Sequence, residues 1–182
     1  MQKKLILDQD LLEITISRLC YQLIENHDAF EDSVMIGLQP RGRYVAGRIK
    51  AQLVKLLGVD IEIGYLDTTF HRDDFRRREL PKKANETNIP FLIENKKVIL
   101  IDDVLYTGRS VRAALDAMIS FGRPRSVELL VLIDRKYTRD LPIQPNYIGR
   151  SVNTMQSQRV KVEWREQDMK KDRIWLINNL DS

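Results

Sequence analysis

The stretch VILIDDVLYTGRSVRAAL, Val98 to Leu115, carries four apolar residues straight into two adjacent aspartates, then a Thr-Gly step, then a helical pattern. A buried strand ending on paired carboxylates is costly, because neighbouring carboxylates raise each other's pKa and resist desolvation. Something cationic or rich in hydroxyls must therefore meet Asp102 and Asp103. The Thr107-Gly108 turn opens a helix, so it presents backbone N–H groups and the positive end of the helix dipole, with the Thr107 and Ser110 hydroxyls as extra donors. One short segment thus offers a phosphate cup and, beside it, two acceptors for vicinal hydroxyls. A ribose 5-phosphate fits both, and a pyrophosphate on the same sugar would bring Mg²⁺ close to the aspartates. An Asp-Asp pair alone is also helix-capping chemistry, and Thr-Gly alone is ordinary turn chemistry. The whole run behind a buried strand is neither.

Working outward, strands and helices alternate. Leu5 to Leu7 reads as a short strand, and from Gln9 to about Asn26 the residues Leu12, Ile16, Leu19, Cys20 and Leu23 fall on one helical face. SVMIGL (Ser33 to Leu38) is a strand, followed by a glycine-containing loop and a helix from Tyr44 to Leu57 that Gly58 closes. VDIEIGYL (Val59 to Leu66) alternates as a strand, Val98 to Asp103 is another, Ser110 to Phe121 is a helix, and SVELLVLID (Ser126 to Asp134) is again a strand. This order predicts an α/β fold with a mainly parallel central sheet and helices on both faces. In such sheets ligands bind beyond the carboxyl ends of the strands. The polar segments Gln39–Gly42, Asp67, Asp102–Asp103 and Asp134–Arg135 all fall there. GLQPRGRY, Gly37 to Tyr44, has the glycine spacing of a nucleotide P-loop, but Arg43-Tyr44 stands where Lys-Ser/Thr is required. Nucleoside triphosphatase chemistry is excluded, while Arg41-Gly42 remains a sound pyrophosphate loop. HRDDFRRRELPKK, His71 to Lys83, has six basic and three acidic residues and no core-forming period, which predicts an exposed, flexible loop within about 67–90.

Length and composition agree. The 182 residues suit one domain, 1–182, with 43 % hydrophobic and 31 % charged residues. A net charge of +4 is compatible with phosphate-bearing partners without requiring them. A single cysteine, Cys20, permits no intrachain disulfide, and with two histidines it makes no structural zinc site. MQKKLILDQD is too polar for a secretory leader and no run reaches membrane-spanning length, so a cytoplasmic protein is expected.

The run DDVLYTGR resembles the phosphoribosyl-pyrophosphate (PRPP) signature of the type I phosphoribosyltransferases. Within them the chain is similar to the pyrimidine operon regulators that double as uracil phosphoribosyltransferases. The likeness extends through LILD, the RG loop, LDTTFHRDD, VLIDR and LPIQPNYIGRSV, nearly the whole chain. It implies a type I phosphoribosyltransferase fold with a small hood from the N-terminal strand and C-terminal segment. It implies Mg²⁺-dependent transfer from PRPP to uracil, giving UMP and pyrophosphate. Asp102 and Asp103 would hold the ribose, Tyr106, Thr107, Gly108, Arg109 and Ser110 the 5-phosphate, and Arg41 with Gly42 the pyrophosphate. Arg72 would fold over pyrophosphate during turnover, and uracil would lie near Ile133 and Asp134. Purine-transferring relatives carry an acidic residue where this chain has Tyr106, so a purine would lack its general base here.

The family's second role, binding a messenger RNA leader, falls by resemblance on Arg18, Tyr21, Arg139 and Arg150. A solvated or dimer-facing helix surface explains Arg18 and Tyr21 equally well. Tyr21 and Asn26 stand where relatives often have basic or histidine side chains. Gln39-Pro40 replaces the usual Thr, and DRKYTRDLPI is one residue longer than the usual segment and lacks its Gly-His. The implied partners are PRPP, uracil and RNA, with neither DNA nor membrane, in a homodimer or higher homo-oligomer. Two alternatives stay open: an RNA-binding regulator with vestigial catalysis, and a transferase for another base such as hypoxanthine.

Overall fold

The computed structural model describes residues 2–71, 85–155 and 157–178. Its centre is a five-stranded parallel sheet of β2 (Ser33–Leu38), β3 (Ile63–Leu66), β4 (Lys97–Leu105), β5 (Ser126–Lys136) and β6 (Tyr147–Asn153), in the order β3-β2-β4-β5-β6. Helices α1 (Gln9–His27) and α2 (Gly42–Leu57) cover one face and α3 (Arg109–Met118) the other. All six residues of β2 are buried. A strand covered on both faces needs no polar alternation, which is why SVMIGL reads as an unbroken apolar run. The α/β expectation is borne out.

Local chemistry sets the ends of the elements. The Asp8 carboxylate caps α1 by accepting from Leu11 N at 2.9 Å. Gly58 closes α2 at φ 71°, the left-handed conformation that a Cβ disfavours. Boundaries differ from the sequence reading at several elements: the first strand begins earlier, at Gln2, α2 begins at Gly42, and β5 runs on to Lys136. Only Ile63–Leu66 of Val59–Leu66 is strand, the helix after Gly108 gives way at Ile119 to one 3₁₀ turn, and β4 runs on past the acidic pair to Leu105. Cys20 is buried, and burial pushes its thiol up to about 12.

A second sheet is antiparallel: β1 (Gln2–Leu7), β8 (Arg173–Asn178) and β7 (Gln158–Glu163), with β8 in the middle. Its inner face, with Ile6, Val162, Trp164 and Ile174, joins the core over α1 and α2. Arg48 of α2 fastens it from below. The guanidinium lies 4.5 Å from the Trp164 ring centroid, makes two 2.9 Å bonds to Glu166 and one of 2.7 Å to the buried Asp172. At the amino end of the parallel sheet, buried His27 has Nδ1 2.8 Å from Ser33 Oγ and Nε2 3.1 Å from both Glu128 Oε2 and Tyr147 OH. Among the described residues no helix is long and apolar enough to cross a membrane.

Candidate active site

Three loops meet at the carboxyl edge of the parallel sheet. The first follows β2, where Gln39 and Pro40 join through a cis peptide and Gln39 N donates to Leu66 O at 2.9 Å. Arg41 then turns the chain into α2. A Cβ on Gly42 would sit 2.5 Å from Ile101 O and 3.1 Å from Asp102 Cα, so only glycine lets this loop lie against β4.

The second loop belongs to β4. Strand alternation sends Asp102 and Asp103 to opposite faces. Asp102 Oδ1 accepts from Asp103 N, and Asp103 Oδ1 from Val104 N, both at 2.8 Å. Burial first, and then the neighbouring Asp103 carboxylate, push the Asp102 carboxyl well above the usual range, against a smaller opposing pull from Arg41. Asp103 is 4 % exposed; its Oδ2 lies 3.1 Å from Arg41 Nε yet makes no hydrogen bond among the described residues. A buried carboxylate oxygen left open in this way is a ready acceptor for a ligand hydroxyl.

Beyond the aspartates, Gly108 at φ 92° turns Tyr106–Ser110 into the start of α3. The segment after β5 buttresses this turn: Thr107 O accepts from Asp140 N at 3.0 Å and Leu141 N at 3.2 Å, and Arg109 Nε pairs with Asp140 at 3.1 Å. Tyr106 is 40 % exposed, and the Arg135 guanidinium stacks 3.9 Å from its ring centroid. Arg135 is buried, donates to Thr154 Oγ1 at 3.0 Å and to Gln158 O at 2.8 Å, and is driven below its ordinary pKa by burial. It therefore ties the Tyr106–Ser110 turn to the β6–β7 connection. The sequence reading set Arg135 with Asp134 at the ligand edge of the sheet but gave it no contact of its own.

The remaining sequence-chosen residues divide. The Ile133 side chain is wholly buried in the core, so only its backbone can face a base. Asp134 is buried with its carboxylate hydrogen-bonded to Arg139. Arg139 turns inward: it donates to Tyr106 O at 2.6 Å, Arg135 O at 2.9 Å and Ile143 O at 3.1 Å. Arg18 and Arg150 stay exposed on the α1–β6 flank, with Arg18 donating to Gly149 O at 2.5 Å and Arg150 to Ile6 O at 2.9 Å. Tyr21 is 55 % exposed. Arg72 and the rest of the basic loop through residue 84 lie outside the described residues.

The phosphoribosyl transferase domain family matches residues 3–167. A bifunctional protein PyrR of Enterococcus faecalis is 40 % identical over 92 % of this chain and 93 % of its own length. The chain belongs to the phosphoribosyltransferases, on their PyrR branch. A second PyrR, from Listeria welshimeri, is 37 % identical over 98 % of this transferase and 100 % of its own length. Among solved structures, the hypoxanthine phosphoribosyltransferase of Trypanosoma cruzi superposes with a TM-score of 0.72 over 96 % of both chains at 12 % identity. A Staphylococcus aureus enzyme of the same name does so at 0.68, covering 94 % of this chain and 90 % of its own at 20 % identity. At such identities these two bear on the fold of the transferase alone.

Proposed function

We propose that the chain transfers the ribose 5-phosphate of PRPP to uracil, releasing pyrophosphate, and that it also binds a messenger RNA leader. The observation that carries the first part is the open, buried Asp103 carboxylate oxygen beside Arg41, between the Gly42 and Gly108 turns. Asp102 and Asp103 accept the ribose hydroxyls, the turn Tyr106–Ser110 takes the 5-phosphate at the N-terminus of α3, and Arg41 with the backbone at Gly42 meets pyrophosphate. Asp102 and Asp103, the latter ion-paired with Arg41, would lie beside Mg²⁺ brought in by PRPP, and the ion would supply charge neutralisation to the departing pyrophosphate. The C1′–O bond to pyrophosphate breaks, the bond from C1′ to uracil N1 forms, and the N1 proton leaves to solvent or product. Positioning and stabilisation of the leaving group carry the rate. Arg72, closing over pyrophosphate, excludes water. The base lies against the backbone at Ile133 and Asp134, with Tyr106 at its edge. A homodimer or higher homo-oligomer is part of the proposal, to be read from light scattering.

Hypoxanthine is disfavoured because Tyr106 puts a phenol where purine-transferring relatives carry an acidic residue. The test is UMP formation from labelled uracil, PRPP and Mg²⁺, with hypoxanthine and orotate run beside it. Turnover with uracil alone supports the reading. Turnover with hypoxanthine instead overturns the base assignment, and binding of PRPP or UMP with no turnover on any base leaves only the RNA regulator.

A further inference from the structure

Arg135 is the one buried arginine among the described residues, 5 % exposed. Its partners are oxygens without formal charge: Thr154 Oγ1 at 3.0 Å, Gln158 O at 2.8 Å and Met155 O at 3.5 Å. Among the described residues no carboxylate pairs with it. The partly buried arginines differ. Arg48 faces Glu166 and Asp172, and Arg139 pairs with Asp134. Those two hold structure and are neutralised, whereas Arg135 keeps a whole positive charge inside the protein. A guanidinium does not shed its proton at any working pH, and a buried charge without a counterion is costly. Fixed in a site closed to water, such a charge stabilises an anion forming nearby far better than solvent would.

Its place identifies the anion. The parallel ladder pairs Leu105 of β4 with Asp134 of β5, and Arg135 follows at once, itself paired with Val152 of β6. The guanidinium thus springs from a strand still held in the sheet, and it lies 3.9 Å from the centroid of the Tyr106 ring. In the transfer proposed above, the base rests on the backbone at Ile133 and Asp134 with Tyr106 at its edge. Arg135 is then the next residue along the strand, behind that ring. Uracil gives up its N1 proton as the bond to C1′ forms, so negative charge gathers on the pyrimidine during the step.

We propose that Arg135 is a positioning residue for the base: it holds the Tyr106 ring and, from behind it, stabilises the negative charge that develops on uracil as the N1 proton leaves. The inference rests on the uracil reading and deepens it. The C1′–O bond breaks with its electron pair going to pyrophosphate, the C1′–N1 bond forms, and the proton passes to pyrophosphate or water. Arg135 joins none of these bonds and acts on the charge alone. An interaction that grows only as charge develops raises the rate of the chemical step without tightening PRPP.

The test compares uracil with 5-fluorouracil, whose N1–H is the more acidic, in the full chain with PRPP and Mg²⁺. Arg135→Met and Arg135→Gln remove the charge and Arg135→Lys keeps it; melting curves identify the variants that fold as wild type does. In an uncharged variant the single-turnover rate with uracil should fall at least about ten-fold, with 5-fluorouracil by less, while the Kd for PRPP stays within about two-fold. The uracil rate of that variant should recover between pH 7 and 9 more steeply than that of wild type, because solvent base then forms the anion. Arg135→Lys should restore most of the rate. A measurement on wild type needs no variant: 5-nitrouracil, an acidic analogue, should inhibit more tightly above its own ionisation than below it. Equal losses on both bases, a lysine variant no faster than Arg135→Met, or weaker inhibition by the ionised analogue each overturn the inference and leave the transferase reading standing. No UMP from wild type removes both.

Discussion

At Asp102 two demands pull against each other. Its carboxyl is raised well above the ordinary carboxylate range by burial and by Asp103. A carboxyl whose pKa is higher folded than unfolded lowers stability as pH climbs from the unfolded value through the folded one. Asp102→Asn should therefore raise the melting temperature at neutral pH, flatten its decline with pH above the acid range, and lower UMP formation by about a hundred-fold or more. Thermal scans from pH 4 to 8 alongside turnover would show both; a variant no more stable than wild type at pH 7 would contradict the carboxylate strain. Gly42 is the second such residue. Gly42→Ala forces a methyl to within 2.5 Å of Ile101 O, so the loop after β2, proposed to meet pyrophosphate, must back away from Asp102. The expected result is a rise in KM for PRPP of at least about ten-fold with the fold retained, read from steady-state kinetics and circular dichroism.

Among the elements, the antiparallel sheet is held both by its apolar inner face and by the Arg48 guanidinium. Removing it with Arg48→Met leaves the Asp172 carboxylate, 3 % exposed, without its strongest partner. The expected cost is about 3 kcal/mol, measured as a lower urea midpoint with the slope unchanged. Strands β7 and β8 were not legible in the sequence as strands, and physics explains why. QRVKVE and RIWLIN lie on a sheet buried on one side only, and their register depends on partners more than 150 residues apart in one pairing, Gln2 with Asn178. By contrast β2, β4 and β5 announced themselves, because burial on both faces leaves an unbroken apolar run. The candidate site was legible where chemistry is local, in the Asp102–Ser110 run and the Arg41-Gly42 loop. It was illegible where two distant segments stack, as Arg135 does on Tyr106.

Across the whole molecule, the two ends of the parallel sheet carry opposite burdens. The carboxyl end holds open polar groups awaiting a ligand; the amino end has its polar groups satisfied by one another. His27 sits there with Ser33, Glu128 and Tyr147, and burial lowers its pKa below the usual value in spite of Glu128, with Lys97 adding to the lowering and Asp28 opposing it. A histidine harder to protonate when folded contributes stability that is complete above the unfolded pKa of about 6.5 and fades as pH falls below it. Wild type should lose stability between pH 6.5 and 5, and His27→Gln should lose less across the same window. Denaturant titrations at the two pH values would decide it.

The pairing of β1 with β8 also orders events in time. Among the described residues a ribosome makes β1 first and β8 last of the eight strands, yet β8 is the central strand on which both β1 and β7 hang. The parallel sheet, complete by Asn153, can close while synthesis continues. The opening strand of the antiparallel sheet must wait unpaired until its neighbour emerges, so the nascent chain can set its paired aspartates on β4 before that second sheet exists.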